Sequence, residues 1–179
     1  MDIALHLANT LKSLRQARGW SLTFAAEQTG VSKAMLGQIE RNESSPTVAT
    51  LWKIATGFNV PFSVFLEAGV EPVRPVFDPQ HSEMVVVPLF PYDPQLRFDH
   101  FSIRLASGAL SESSAHDAGV IEHVVVISGT LEMNVDGEWQ ILTAGEGLKF
   151  HGDRPHAYRN SGADETHFHS LIHYPATTA

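Results

Sequence analysis

Residues 21–47, SLTFAAEQTGVSKAMLGQIERNESSPT, carry the spacing of two short helices joined by a tight turn. Ser21 offers a side-chain acceptor where a helix would begin, and apolar residues then recur at helical intervals, so the pattern predicts a helix over residues 22–29. Gly30 can take the positive φ that a sharp corner between helices requires, and Ser32 can cap a second helix. The stretch therefore predicts a helix-turn-helix unit, which lays its second helix in the DNA major groove.

The second predicted helix divides into two faces. Ala26, on the first helix, is assigned to the point where the two helices cross, so that a larger side chain there would push them apart. The inner face of the second helix is assigned four apolar residues: Val31, Met35, Leu36 and Ile39. Its outer face is assigned short, polar or small residues that permit close approach to base edges: Ser32, Lys33, Ala34, Gly37 and Gln38. Gln38 can pair bidentately with adenine, and Lys33 can contact guanine or phosphate.

A polar run follows this helix and suits contacts to phosphates, which set the register of a protein on DNA and do not read its sequence. The predicted DNA-binding residues from the helix and the run together are Ser32, Lys33, Ala34, Gln38, Arg41, Asn42, Ser44, Ser45 and Thr47.

The stretch IERNESSPTVATLWKIA, residues 39–55, resembles the end of the recognition helix and the fourth helix of phage-repressor-like, XRE-type regulators. The likeness covers about residues 6–66 and implies a five-helix bundle, with helices near residues 7–18, 48–57 and 61–67 besides the central pair. The core residues that it implies are Trp20, Leu51, Ile54, Ala55, Val60 and Phe62. The alternative is a helical hairpin that binds no DNA.

Composition limits the function classes. The chain of 179 residues contains no cysteine, which excludes disulfides and thiolate metal sites and fits a reducing compartment. The first residues, MDIALHLANTLKSLRQ, lack an uncharged apolar run long enough for a signal peptide or a membrane span. We therefore expect a cytoplasmic protein with no membrane partner.

Charge is divided unevenly along the chain. Residues 1–66 hold six lysines and arginines against four acidic residues, whereas the remainder holds six against sixteen. Because one helical head carries so little positive charge, we expect a homodimer that binds a two-fold site on double-stranded DNA with strong salt dependence.

Prolines at positions 72, 75 and 79 predict an extended connector and a domain boundary. The expected divisions are a helix-turn-helix domain over residues 1–67, a proline-rich linker over 68–82 and a sensor domain over 83–175. In the last division, short runs rich in Val, Ile, Leu and Phe recur roughly every ten residues between Asp, Gly, Ser and Pro clusters, the pattern of an all-β sandwich or barrel.

Nine of the ten histidines lie after residue 80. The order of His116, Glu122, Gly129 and Gly145, followed by Pro155, His156 and Asn160, resembles the two sequence motifs of the cupin family. The resemblance implies a jelly-roll β-barrel in which His116, Glu122 and His156 meet at one divalent metal ion, with zinc, iron, manganese or nickel as candidates. The first motif departs from the family pattern, because its second histidine is replaced by Ala118. Cupins that bind no metal remain the alternative.

Further histidines are candidates for the ligand pocket of this barrel. They are His123, His167 and His169. Because side chains alternate along a strand, His167, His169, Leu171 and His173 share one face of the last predicted strand. If that face is turned inward, the imidazoles line the pocket; exposed histidines on an edge strand are the alternative.

The whole chain resembles XRE-type regulators with a C-terminal cupin domain, and within them the regulators of sulphur utilisation. The segments that carry this likeness are VSKAMLGQIERNESSPTVATLWKIA, LFPYDPQL, GVIEHVVVI, VDGEWQ and HFHSLIHYP. The resemblance implies a transcriptional regulator whose barrel senses a small-molecule effector, with a sulphur compound or an amino acid as a candidate. A metal-dependent cupin enzyme, an oxygenase or isomerase fused to a DNA-binding head, is the rival class, and an antitoxin or structural DNA-binding protein is a third.

Overall fold

The computed structural model describes residues 3–66, 83–113 and 115–175. The chain divides into two compact units, Met1–Gly69 and Val70–Ala179. The predicted linker, residues 68–82, lies outside the described residues.

The first unit is helical. Its α-helices are α1 (Ile3–Ala17), α2 (Leu22–Thr29), α3 (Lys33–Glu40) and α4 (Val48–Gly57), followed by a short 3-10 helix (Phe62–Phe65). Polar side chains cap three of them: Ser21, Ser32 and Thr47 each accept a hydrogen bond from the backbone N–H three residues later. None of the helices in the described part of the chain is long and apolar enough to span a membrane.

The expected fifth helix is wrong as an α-helix, since the described residues hold four α-helices and one 3-10 turn. The turn starts after Pro61, whose ring supplies no backbone N–H, and it ends at Leu66, whose backbone is extended. Its four residues are two phenylalanines, a serine and a β-branched valine, all weaker helix formers than alanine or leucine. Burial of Phe62 and Phe65 in the core therefore holds a single tight turn and not a longer helix.

The core of this unit joins all its elements. Its fully buried large side chains are Leu11, Leu36, Ile39, Leu51, Ile54, Phe58, Phe62 and Phe65. The close approach of α4 to α2 requires Gly57, where an added Cβ would lie 2.6 Å from the carbonyl oxygen of Gln28. On α2 the fully buried alanine is Ala25, whereas Ala26, predicted at the crossing, is half-buried.

The second unit is built of nine strands in its described residues. They are β1 (Met84–Asp93), β2 (Phe98–Leu105), β3 (Leu110–Ser113), β4 (Ile121–Ser128), β5 (Thr130–Val135), β6 (Glu138–Thr143), β7 (Gly147–His151), β8 (His156–Arg159) and β9 (Thr166–His173). They form a five-stranded sheet in the order β1-β2-β9-β4-β7 and a four-stranded sheet in the order β3-β8-β5-β6. Every pairing is antiparallel.

The two sheets face each other across an apolar interior, and no ladder between described strands joins them, so the expected barrel is not closed. Burial alternates along β2 and β9, which fixes their inward side chains. Phe101 and Ile103 point inward from β2, and Phe168 and Ile172 point inward from β9. The interior between the sheets is where the site described below lies.

Candidate DNA-binding surface and candidate metal centre

Helix α3 is held in place from both ends. At its start, Gly30 has φ 66° and turns the chain from α2, and Ser32 accepts a hydrogen bond from the N–H of Met35 at 3.2 Å. At its end, Arg15 of α1 donates two hydrogen bonds to Glu40, at 2.5 Å and 2.7 Å. Arg15 also donates to the carbonyl of Trp20 at 2.9 Å. This paired, partly buried contact sets the orientation of α3 on the head.

The residues predicted to bind DNA lie on α3, at its cap and in the run that follows it, and most of them are exposed. Eight of the nine are exposed and Ser44 is half-buried. Two facial assignments within α3 were wrong: Met35 is 39% exposed, and Gly37 is buried. Gly37 lies inside because the helix packs closely there, with Leu22 and the Arg41 side chain next to the space that its Cβ would fill. Met35 therefore adds an apolar side chain to the exposed face.

Arg41 is held by a neighbouring carboxylate. Its Nε and Nη2 donate to the two oxygens of Glu43 at 2.8 Å and 2.7 Å, and both side chains are exposed. The hydrogen bonds lower the pKa of Glu43, so the carboxylate is ionised at neutral pH. Because an exposed ion pair contributes little to stability, a phosphate can replace Glu43 as the partner of Arg41.

Three side chains meet in the interior of the β-rich unit. Glu122 points inward from β4, His156 begins β8, and His116 lies in the connection from β3 to β4. Oε1 of Glu122 is 3.0 Å from Nε2 of His116 and 3.4 Å from Nε2 of His156. One potential ligand atom from each residue lies within 4.8 Å of the others. The structure therefore brings together the three residues that the sequence predicted as metal ligands.

The protonation of His156 favours a cation at this point. Its Nδ1 lies 2.9 Å from the carbonyl oxygen of Arg154, which can only accept, so Nδ1 carries the hydrogen and Nε2 of the neutral ring presents a lone pair. Burial lowers the pKa of His156, which favours that neutral ring. Nε2 of His156 is buried and has no hydrogen-bond partner in the described parts of the chain, and the buried Oε1 of Glu122 has only the Nε2 of His116 close to it, at 3.0 Å. Two facing acceptors are stabilised by a positive ion between them.

The second oxygen of Glu122 is held separately. Oε2 accepts a hydrogen bond from the hydroxyl of Tyr158 at 3.0 Å and a longer one from Ser170 at 3.4 Å. Burial alone would raise the pKa of Glu122, but the two nearby imidazoles and the Tyr158 hydroxyl outweigh burial and leave that pKa lowered. The carboxylate is thus ionised and oriented, with Oε1 turned to the histidines.

Gly152 closes one wall of the site. A Cβ at this position would lie 2.8 Å from Oε1 of Glu122 and 3.1 Å from Cδ2 of His116. Its backbone carbonyl accepts a hydrogen bond from the N–H of His116 at 2.9 Å. The absence of a side chain therefore lets the backbone support His116 while leaving room for the carboxylate.

The predicted pocket histidines do not line this interior, and that assignment was wrong. His167 and His169 lie on the outward face of β9, because the apolar Phe168 and Ile172 take the inward positions with Thr166 and Ser170. His123 adjoins the inward Glu122 on β4 and so points to the opposite side of the sheet. All three imidazoles are on the outer face of the five-stranded sheet.

Sequence reasoning also missed Tyr158, Ser170 and Gly152. A signal for Tyr158 was available, because it lies two positions after His156 on one strand and therefore faces the same way. Ser170 and Gly152 reach the site only because strands that are far apart in the sequence pair with each other. That pairing cannot be read from a single sequence.

Comparison with known proteins supports both halves of this description. The helix-turn-helix family matches residues 11–65, and the cupin domain family matches residues 101–172. The HTH-type transcriptional regulator SutR of Escherichia coli (strain K12) is 66% identical over 174 residues, which cover 97% of this chain and 98% of SutR.

Solved structures give the same result. A crystal structure of an HTH_3 family transcriptional regulator from Vibrio cholerae is 40% identical, covers 97% of each chain and has a TM-score of 0.85. A cupin domain of an XRE family transcriptional regulator from Enterobacter cloacae is 68% identical, covers 52% of this chain and 99% of its own, and has a TM-score of 0.52. From its two domains and its full-length relatives, this chain belongs to the family of HTH-type transcriptional regulators that carry a C-terminal cupin domain.

Proposed function

We propose that this protein binds a two-fold DNA operator as a homodimer and that its cupin domain senses a small metabolite in the cytoplasm. The observation that carries the DNA-binding part is the exposed face of α3, where Ser32, Lys33, Ala34 and Gln38 stand free of the core. Gln38 and Lys33 are the residues we assign to base edges, and the run from Arg41 to Thr47 is assigned to phosphates.

Selection of duplexes from a random pool by the full-length protein tests this function. We expect an inverted repeat whose half-sites are centred about 10 base pairs, or a multiple of one helical turn, apart. Recovery of duplexes without a shared motif, bound equally well at low salt, would contradict sequence-specific recognition. The Gln38→Ala variant provides the matched control, since it keeps the fold of α3 and removes one assigned base contact.

We further propose that His116, Glu122 and His156 hold one divalent metal ion. Two imidazoles and one carboxylate suit zinc, iron, manganese or nickel and leave coordination positions open. A bound ion would supply a Lewis-acidic position for an oxygen, nitrogen or sulphur atom of an effector. Tyr158 and Ser170 would keep Glu122 oriented toward that ion. Elemental analysis of protein purified without chelator, before and after dialysis against each candidate metal, tests the assignment.

The sensing step requires differential binding. If a metabolite binds one arrangement of the dimer more tightly than another, it shifts the spacing of the two heads and so changes their affinity for paired half-sites. The resemblance to regulators of sulphur utilisation makes sulphur compounds and the amino acids cysteine and methionine the first candidates. A panel of these compounds, screened by the change in operator affinity of the metal-loaded protein, tests the proposal. Tight binding by a compound that leaves operator affinity unchanged would argue against it as the effector.

The second candidate function is a metal-dependent oxygenase or isomerase, and the observation that favours it is the open two-histidine, one-carboxylate set. We assign the protein to the non-enzymatic class because its full-length relative is named as a regulator. Product analysis after incubating the metal-loaded protein with each compound that it binds separates the two functions. Stoichiometric recovery of unchanged ligand supports a sensor, and catalytic turnover supports the enzyme.

A further inference from the structure

The outer face of the five-stranded sheet is made of imidazoles and apolar side chains. Its outward positions on the three central strands are Phe98, His100, Ser102 and Arg104 on β2, His167, His169, Leu171 and His173 on β9, and Ile121, His123, Val125 and Ile127 on β4. We call this surface the histidine face. Val125, near the centre of the face, is 43% exposed, and Ile127, near its edge, is 46% exposed.

The charge of the histidine face differs from that of its domain. Residues 67–179 hold sixteen acidic side chains against six basic ones, yet none of the outward positions on β2, β4, β7 and β9 is aspartate or glutamate. Two copies of an acidic domain repel each other, and the repulsion is smallest where acidic side chains are missing. The histidine face is therefore the side on which a second copy can approach.

The side chains of the histidine face are already ordered within one protomer. His169 lies directly between Ser102 on β2 and Val125 on β4. Its ring centroid is 5.3 Å from that of His100 and 5.4 Å from that of His167. Elsewhere on the same face, the ring centroids of His123 and His173 are 5.5 Å apart. Preordered aromatic rings lose little conformational freedom when a partner covers them.

The size of the face suits a stable dimer. Five strands about 4.8 Å apart and about 26 Å long give a footprint of roughly 600 Å² before the relief of side chains is included. A standard interface buries about 800 Å² on each partner. The outer face of the four-stranded sheet differs because it carries charged side chains. Its exposed Ile141 and Trp139 adjoin the ion pair of Glu132 and Arg159.

We propose that two copies of this chain associate through the histidine face, with Val125 and His169 near the two-fold axis. The inference rests on the homodimer of the proposed function and adds which surface forms it. In an isologous contact the same patch meets itself, so a surface of apolar side chains and imidazoles, whose outward positions on β2, β4, β7 and β9 include no acidic residue, can pack against its own copy without carboxylates meeting at its centre.

Sedimentation of full-length protein tests the proposal with two matched variants. Val125→Glu places two carboxylates opposite each other across the axis, and we expect the dimer dissociation constant to rise at least about 100-fold. Ile141→Glu introduces the same charge at a 66% exposed position on the other sheet, and we expect no more than about a threefold change. Equal dimerisation of wild type and both variants overturns the proposal while leaving the dimer itself intact.

Disulfide crosslinking supplies a second measurement that does not depend on destabilising the interface. Because the chain has no cysteine, single variants Ser102→Cys, Val125→Cys and Leu171→Cys each report one position. We expect at least one to form a crosslinked dimer on mild oxidation, since a disulfide needs Cα atoms within about 7 Å. Ile141→Cys is the control and should remain uncrosslinked.

The outcomes separate this inference from the proposed function. A wild-type protein that stays monomeric at high concentration contradicts the homodimer of the proposed function itself. A dimer that crosslinks through Ile141→Cys and through none of the three face positions retains the homodimer but places its interface elsewhere. A face covered by another segment of the same chain would give neither crosslinks nor any response of dimerisation to Val125→Glu, which also overturns the inference.

Discussion

At the scale of single residues, the two imidazoles of the candidate metal centre differ from the other histidines by their surroundings. His156 is almost fully buried and turns an unpartnered Nε2 toward Glu122. We expect His156→Ala to remove bound metal, because two remaining ligands hold a divalent ion weakly. His167→Ala, which alters an outward imidazole, should leave metal content unchanged. Elemental analysis of dialysed protein measures the metal content per protomer and tests this prediction. Equal metal content in both variants would contradict the assignment.

Tyr158 acts on the same centre without touching a metal position. Its hydroxyl donates to Oε2 of Glu122, and its ring stacks on Phe168, so Tyr158→Phe removes the donor and keeps the packing. We expect metal affinity to fall about 10- to 100-fold, as when a group that orients a ligand is lost. Competition with a chromophoric chelator measures it. Tyr174→Phe, which loses a hydroxyl bond to Asp99 at 2.8 Å, is the control and should retain wild-type affinity.

Some residue assignments were accessible from sequence and others were not. Gly30 and Ser32 were predicted from local chemistry, because a left-handed corner and a helix cap depend on a few adjacent residues. The orientation of β9 was not accessible from sequence. Its side chains alternate between two faces of the strand, and only packing determines which face is turned inward. Phe168 and Ile172 are more apolar than the imidazoles next to them, and they occupy the interior.

At the scale of elements, α3 depends on α1 for its position. Arg15 and Glu40 form a bidentate pair that is largely shielded from solvent, at 16% and 8% side-chain exposure. We expect Glu40→Gln to lower the free energy of unfolding of the head by about 1–3 kcal/mol, because Arg15 keeps its charge and loses its partner. Glu43→Gln alters an exposed pair and should cost less than about 0.5 kcal/mol. Helical circular dichroism during denaturation measures both, and a larger effect at Glu43 would be inconsistent with this role for Arg15.

The outer face of α3 and the run after it should respond differently to mutation. Gln38→Ala should relax base preference at one operator position, with a loss of about 1–3 kcal/mol on the preferred base. Arg41→Ala should weaken binding to all sequences and reduce the salt slope by about 1. Fluorescence anisotropy on the selected operator and on single-base variants, at several salt concentrations, measures both effects. A uniform loss across sequences for the two variants would refute the division between base and phosphate contacts.

The elements show where local pattern suffices. The helix over residues 22–29 was predicted with the observed bounds from its cap and apolar spacing, whereas α4 was predicted with its observed bounds by resemblance. The segment after Pro61 was predicted as a helix by resemblance, but its low helix propensity left only a 3-10 turn in the described residues. For the β-rich unit, the strand pattern was visible in the sequence, whereas the grouping of nine strands into two unjoined sheets depends on long-range pairing.

At the scale of the whole molecule, the two domains differ in net charge as well as in their expected roles. The head carries the small excess of basic residues needed for phosphates, and the acidic domain carries the candidate sensor. An acidic domain weakens non-specific attraction to DNA, so specific contacts from two heads are required for tight binding. In the proposed homodimer, dimerisation would therefore be coupled to operator binding, because a single head offers few phosphate contacts.

The histidine face should make the proposed dimer sensitive to pH. Burial lowers the pKa of His100, His167 and His173 from the ordinary value of 6.5. The charged groups facing them reinforce this: Arg104 and Lys149 lower the pKa of their histidine neighbours, and only Glu165, beside His167, raises it. At these three histidines the folded state therefore binds fewer protons than the unfolded chain near pH 6, so the stability that they contribute is fully present above about pH 6.5 and is lost as pH falls further.

If a second copy covers the histidine face, it removes water from these rings and lowers their pKa more, so acidification should dissociate the dimer before it unfolds the protomer. We expect the dimer dissociation constant to rise between pH 7.5 and pH 5.5, measured by sedimentation velocity with far-ultraviolet circular dichroism as the check on folding. Because acid also releases metal from histidine ligands, the series is run with and without chelator. Replacing His100, His167 and His173 by glutamine should flatten the profile in both conditions. A profile that is unchanged by this replacement but abolished by chelator would assign the pH response to the metal centre instead of the interface.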